Sequence, residues 1–293
     1  MKKITSTAFL LFLAIYSFGQ LNPLGGIYYQ NQYLANPAMA GVESGFELNG
    51  HLKGQWTAIE GAPLMQALTF AYGSENKRVG LGAYLYNETA GAFIRTNAKI
   101  TYSYHLALNV EQTSFIDFGV SGGVMNERVD FDKLKGDLSD ISLVNFNERK
   151  LFVDGDFGVA FRSPTINIQA AVPNLKRFLD RDVYRKIVDR TTYIAAVSYK
   201  FIGRNGGTRI EPKLAYRGVQ NYKDIIDAGI AVGVAEEKLN FSAIYHSTNS
   251  VTLGIGTVFQ NQFGISAQYT TNTSDLQGYS NGEFEIGLKY NWK

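Results

Sequence analysis

The chain of 293 residues contains no cysteine. That absence excludes a disulfide framework, a thiolate metal site and a lipid anchor on cysteine. Past the first twenty residues, no apolar run approaches the roughly 18 residues of a membrane helix, so an α-helical membrane protein is excluded. A large excess of either charge is also lacking, with 28 Lys and Arg against 26 Asp and Glu. Nucleic-acid binding by bulk charge is therefore not expected. Proline is scarce at six, whereas glycine numbers 30, phenylalanine 19 and tyrosine 18. That balance reads as strand-rich. No Ser/Pro-rich linker or shift of composition marks a boundary, so a single folded domain is expected.

The N-terminus carries an address. Lys2 and Lys3 precede an apolar run from Ala8 to Phe18, and Ser17-Phe18-Gly19 supplies small residues at cleavage spacing. Residues 1–19 read as a secretory signal peptide cut near Gly19-Gln20. Its removal takes two lysines and no acid, leaving the mature chain balanced. Residues 20–44 contain Asn22-Pro23 and Asn36-Pro37, both turn signals, and lack strand alternation. They form a short N-terminal segment ahead of a folded body at 45–293, and folding into a lumen is one expectation for it.

The body is organised around its last strand. Phe284, Ile286, Leu288, Tyr290 and Trp292 alternate with Glu283, Glu285, Gly287, Lys289 and Asn291, giving one apolar and one polar face. Its length suits a tilted strand crossing a bilayer, and its aromatic pair suits the interface. Alone it fits a soluble sandwich's edge strand equally well. The rest of the chain decides. Strand-like runs fall near 45–54, 64–73, 78–87, 93–107, 113–127, 152–163, 165–172, 190–202, 208–218, 223–235, 238–247, 250–260, 262–272 and 281–292. Their connections alternate short and long with strand parity. Glu75-Asn76, Asn109–Gln112, Ser163-Pro164, Arg204–Gly207, Glu236-Glu237 and Gln260-Asn261 read as periplasmic turns. Gln55–Pro63, Arg128–Leu151, Pro173–Asp189 and Thr273–Ser280 read as external loops. The expected fold is all-β, a transmembrane outer-membrane β-barrel of about fourteen antiparallel strands. Pro212 must sit at a strand start or bulge. Within Pro173–Asp189, apolar residues at helical spacing predict a short amphipathic helix.

The segment Gln32-Tyr33-Leu34-Ala35-Asn36-Pro37-Ala38-Met39-Ala40-Gly41, then Gln55-Trp56 and Gly61-Ala62-Pro63, resembles the PorP/SprF family of outer-membrane proteins of the type IX secretion system. Weaker matches are Gly80-Leu81-Gly82, Tyr102–Leu106, Asp156–Val159, Val172–Leu175 and the ending Glu283–Leu288. The chain departs from the family's pattern at Lys53-Gly54 before Gln-Trp and at Thr57-Ala58 after it. The resemblance implies export or surface anchoring of secreted, adhesin-like proteins through their C-terminal sorting domains. It also implies contact with periplasmic lipoproteins of the machinery, from a barrel embedded in outer-membrane lipid. Tyr33, Asn36, Pro37, Gln55, Trp56, Gly61, Ala62 and Pro63 are then the partner-binding candidates.

Enzymatic chemistry finds little support. His51, His105 and His246 fall on the lumenal face by alternation, and Ser242 shares it near His246, yet no signature of a Ser–His hydrolase surrounds them. The loop Asp130–Asp137 lacks the glycine and terminal glutamate of an EF-hand. No cofactor or metal is expected. Trp56 reads either as an interface anchor or as a binding hot spot, the resemblance favouring the second. The alternative function is an outer-membrane channel or hydrophobic-solute transporter with an N-terminal hatch.

Overall fold

The structure, a computed structural model, describes residues 26–57, 60–133, 151–175, 191–203, 207–219, 223–271 and 281–293. The strands are β1 (Gly45–Gln55), β2 (Leu64–Gly73), β3 (Val79–Ala90), β4 (Phe93–Ala107), β5 (Phe115–Val129), β6 (Phe152–Arg162), β7 (Ile166–Val172) and β8 (Thr191–Tyr199). They continue as β9 (Phe201–Ile202), β10 (Arg209–Val219), β11 (Ile225–Val234), β12 (Leu239–His246), β13 (Ser250–Phe259), β14 (Phe263–Thr270) and β15 (Glu283–Trp292). Neighbours pair antiparallel, β15 pairs with β1, and β10 pairs with β11, so the sheet closes on itself. Closure leaves no edge running the height of the wall, which is what lets strands cross lipid.

The two-residue β9 continues β8. Phe201 faces Ile210 in the same register that sets Ser198 opposite Lys213. Between them the register brings Tyr199 opposite Pro212, which has no N–H to give the ladder. Pro212 therefore sits inside β10, neither at its start nor at a bulge, and the interruption it causes falls on the partner strand. The register shift of β10 lies instead at Gly218/Val219. Counting β8 and β9 together gives a closed barrel of 14 strands. The start of β5 is later than its apolar pattern suggested because the Asn109 side chain accepts from the Thr113 and Ser114 amides, each at 3.0 Å. Those two residues are thereby held in the turn.

Burial is inside out. Outward rows such as Leu81, Leu85, Ile100, Tyr102, Val120, Ile286 and Leu288 are exposed, Ile100 by 73 %. Inward rows carry Lys53, Lys99, Asp117, Arg217 and Asp227, all buried. Among the described residues no second sheet covers the outward face, and hydrocarbon is the solvent that makes this arrangement stable. One barrel end has short turns, as at 74–78, 163–165 and 260–262; the other carries the long connections 130–151, 173–190 and 271–282. The amphipathic helix expected within Pro173–Asp189 lies outside the described residues beyond Leu175. So does the part of the acidic loop from 134 onward, the remainder being a single 3₁₀ turn at Phe131–Lys133.

Candidate functional site

Residues 26–44 are not part of the wall. They form a one-turn helix α1 (Ile27–Gln30) and 3₁₀ turns at Gln32–Leu34 and Pro37–Met39. Asn36 starts the last turn: its Oδ1 accepts from the Ala38 amide at 3.0 Å, and Pro37 supplies a first position that needs no donor. Their bonds go to strands all around the barrel. Gly26 N donates to Glu285 Oε1 on β15 at 3.0 Å, and the Tyr28 hydroxyl donates to Asp227 on β11 at 2.7 Å. Asn31 donates to Thr69 on β2 and the Tyr33 hydroxyl to Thr101 on β4, both at 2.8 Å. Asn36 Nδ2 donates to the Val159 carbonyl on β6 at 3.2 Å. The Ala40 carbonyl accepts from Ser103 Oγ at 2.6 Å. A segment bonded to β15, β11, β2, β4 and β6 fills the lumen across its width.

The wall is shaped to receive it. A Cβ on Gly80 would lie 2.0 Å from the Ala40 carbonyl oxygen, and one on Gly119 would lie 2.2 Å from the Ala38 amide nitrogen. Both positions admit only hydrogen because backbone cannot yield as a side chain can. Burial raises the phenols of Tyr28 and Tyr33 above their usual value, so both stay protonated as donors.

Charged groups tie the segment to the wall at both ends. Near the long-loop end, Arg217 makes two bonds to Asp227 at 2.6 and 2.9 Å, and His246 Nδ1 meets the same carboxylate at 2.6 Å. Tyr28 completes that cluster, and the Arg217 guanidinium sits 5.4 Å from its ring centre. Near the short-turn end, Arg162 and His105 share Asp117 at 3.0 and 2.7 Å, and His105 Nε2 lies 3.2 Å from the Ala40 carbonyl. Lys99 pairs with Asp156 at 2.6 Å and Lys53 with Glu283 at 2.9 Å. The hydroxyl on His246 Nε2 belongs to Thr252, at 2.7 Å, rather than to Ser242. Thr252 and Ser103 are both fully buried, so neither Asp–His–hydroxyl row opens to a substrate. Among the described residues, no group of three or more acids and histidines is arranged to hold a metal ion.

The eight partner-binding candidates separate into two places. Tyr33, Asn36 and Pro37 are buried inside the lumen. Gln55, Trp56, Gly61, Ala62 and Pro63 lie at the long-loop rim, above β1 and β2. There Gln55 is fully buried and donates to Glu283 at 2.9 Å, while its amide donates to the Pro63 carbonyl at 2.9 Å. Trp56 is half-buried in the left-handed region at φ 51°, with its amide on the Gly282 carbonyl at 2.9 Å. Asn281 donates to Thr57 at 2.7 Å, and the Gly61 carbonyl accepts from Gly91 at 2.7 Å. The rim around Trp56 is thus a laced structure, with Gly61 exposed at its crest. Sequence reasoning missed the two Arg–Asp–His clusters, whose members come from different strands. The available signal was an Arg, an Asp and a His at lumenal parity near the same end of adjacent strands.

Residues 18–290 match the sequence profile of a family described as type IX secretion system membrane protein PorP/SprF. No curated protein matches the chain. Among solved structures, the CymD monoaromatic hydrocarbon channel superposes with a TM-score of 0.55 at 10 % identity, over 89 % of this chain and 92 % of that one. The Acinetobacter baumannii outer membrane protein Omp33 gives 0.49 at 8 % identity, over 86 % and 100 %. The P. putida toluene transporter TodX gives 0.47 at 11 %, over 89 % and 94 %. At these identities what is shared is the outer-membrane barrel fold.

Proposed function

The chain belongs to the PorP/SprF family of type IX secretion system membrane proteins, and from that premise we propose that it is a non-enzymatic docking barrel. In this reading the long-loop end faces outward and receives secreted, adhesin-like proteins through their C-terminal sorting domains. The short-turn end faces the periplasm and meets lipoproteins of the machinery. The observation that carries the reading is the filled lumen. Tyr28, Tyr33 and Asn36 plug it, and paired charges surround them where a hydrophobic-solute path would need apolar walls. With the interior occupied, the surfaces left for function are the two rims. Trp56 on its laced loop is the rim residue best suited to anchor a partner, since its ring is large and half-buried and its backbone is already held by the Gly282 carbonyl.

Replacing Trp56 by alanine tests this. An interface tryptophan can contribute about 2 kcal/mol or more, enough to weaken binding more than tenfold. Trp56→Ala should leave barrel abundance and heat-modifiable gel mobility near normal while the cognate surface protein is lost from the cell surface. Normal cargo display would sink the docking role of Trp56. A proportionate fall of barrel and cargo would make it an interface anchor instead. For the barrel as a whole, purified protein in planar bilayers should conduct poorly, and a large steady conductance would favour the channel reading.

A further inference from the structure

Toward the short-turn end, the lumenal segment presses on one side of the barrel and leaves the other open. On β5 a Cβ at Gly119 would lie 2.2 Å from the Ala38 nitrogen of that segment. Inward glycines on β13 and β14 meet none of it so closely. The atoms nearest a Cβ on Gly256 belong to Ile265 and Ser266 of the neighbouring strand, and those nearest one on Gly264 to Lys289, Thr257 and Val258. Gln30, the last residue of α1, is exposed although it lies inside the wall, where its Oε1 accepts from Ser266 Oγ at 2.6 Å. Ala231, Ser242, Gly256 and Ser266, on the adjacent strands β11 to β14, are half-buried rather than covered. Each sits three residues from the short-turn end of its strand. Small side chains on four neighbouring strands thus leave a vestibule about 10 Å deep, open at the short-turn end and closed above by α1.

A lysine stands at its inner end. Lys213 points inward from β10, opposite Gly229, and is 8 % exposed. Its Nζ lies 5.4 Å from the Tyr28 ring centre and 4.6 Å from that of Tyr29. Those rings engage the charge, yet Lys213 makes no ion pair, and its Nζ no hydrogen bond, with any described residue. Arg217, four residues further along β10, sits 5.4 Å from the same Tyr28 ring. The ring therefore stands between Lys213 and the Arg217–Asp227 pair, which puts Lys213 on the short-turn side of it. Glu211, two residues nearer the mouth, is already engaged, its Oε1 by Ser198 Oγ at 2.7 Å and its Oε2 by Arg209. The charges at the mouth are paired as well, Arg209 with Glu237 at 2.8 Å and Lys289 with Glu47. A buried ammonium with no acceptor leaves its lost hydration uncompensated, and an anion in the vestibule would supply what is missing.

We propose that the vestibule is an anion site, taking a carboxylate that enters from the short-turn end and accepts from Lys213. The proposal goes beyond the rim docking above and does not depend on it, since the pocket opens at the end opposite Trp56. One unpaired cation matches the single charge of a carboxylate, whereas a phosphate dianion would call for a second. The small neutral wall at Ala231, Ser242 and Gly256 leaves room for a narrow, unbranched chain behind the carboxylate.

Lys213→Met removes the charge and keeps a soft side chain against the tyrosine rings. The probes are butyrate and butyramide, which differ in charge and little in shape, titrated calorimetrically into the purified full-length barrel in nonionic detergent. Butyrate should bind about tenfold more tightly than butyramide, and Lys213→Met should erase the difference. Tetra-alanine with a free C-terminus, compared with its C-terminal amide, separates the sources. A preference for butyrate shows that a free small acid suffices; a preference in the peptide pair alone assigns the site to the end of a polypeptide. No preference in either pair, or one that Lys213→Met leaves intact, overturns the proposal. Tighter binding of inorganic phosphate than of either acid overturns it too. Should Lys213→Met fail to fold, Ala231→Leu decides, because it narrows the vestibule and touches no charge. It should weaken acid binding by about tenfold, and unchanged affinity refutes the site.

Discussion

At Gly119 the distance between a hydrogen and a methyl group decides whether the lumenal segment can seat. A Cβ there would meet the Ala38 nitrogen and the Pro37 carbonyl carbon, each at 2.2 Å, whereas on the same strand a Cβ at Gly122 would meet nothing within 4 Å. Gly119→Ala should therefore expose residues 26–44 to added protease in an otherwise intact barrel, and Gly122→Ala should not. Equal protease resistance in the two variants would mean the segment is not held against β5. A second pair tests the facing of the wall. Ile286 points outward and is 52 % exposed, while a side chain at Gly287 would point inward at Ser266 and His51. A charge at the lipid midplane costs about 2–4 kcal/mol, so Ile286→Arg should lower outer-membrane levels more than Gly287→Arg. Equal loss would contradict the facing. This facing was legible in the sequence, because strict alternation over Glu283–Trp292 leaves only one apolar row. The role of the inward glycines was not. Gly80, Gly119 and Gly158 share lumenal parity, but what crowds them comes from the N-terminal segment far away along the chain: backbone of Ala40 at Gly80 and of Pro37 and Ala38 at Gly119, and the Asn36 side chain at Gly158.

Elements show the same division between what neighbours dictate and what distant contacts impose. Strand limits came close wherever an apolar pattern ended at an Asn, Gly or Ser-Pro turn. They slipped where a side chain captured backbone amides, as Asn109 does, and where Pro212 broke the ladder of β8 rather than its own strand. The candidate residues Asn36 and Pro37 announced a turn, and the structure adds that the turn is buried against β5 and β6. Gln55, read as the start of an external loop and a partner-binding candidate, is fully buried on Glu283. The lumenal segment is held by the Arg217–Asp227–His246 cluster, in which all three side chains are wholly buried. Removing one partner of a buried ion pair costs about 3–5 kcal/mol, because the remaining charge stays desolvated. Arg217→Met should accordingly lower the temperature of the heat-modifiable gel shift by a clear margin. It should also raise conductance in planar bilayers, since Tyr28 loses its ordered acceptor. A variant with unchanged shift temperature and unchanged conductance would show that the cluster neither stabilises the barrel nor secures the segment.

At the scale of the whole molecule, the two ends are unlike, and the direction in which they face sets which partners each can meet. Strand count and parity gave the short turns to one end and the long connections to the other. The closed sheet with its paired β15 and β1 fixes that both ends of the barrel chain emerge on the short-turn side. A barrel with that arrangement places short turns in the periplasm. The absence of cysteine makes the orientation directly measurable. Val110, 95 % exposed in the turn between β4 and β5, lies at the short-turn end; Asn249, exposed between β12 and β13, lies at the other. On intact cells, Asn249→Cys should react with a membrane-impermeant maleimide and Val110→Cys should not. After the outer membrane is opened, both should react. The reverse pattern on intact cells would turn the barrel over, put the Trp56 loop on the periplasmic side, and move the proposed docking of secreted cargo from its rim to the opposite one.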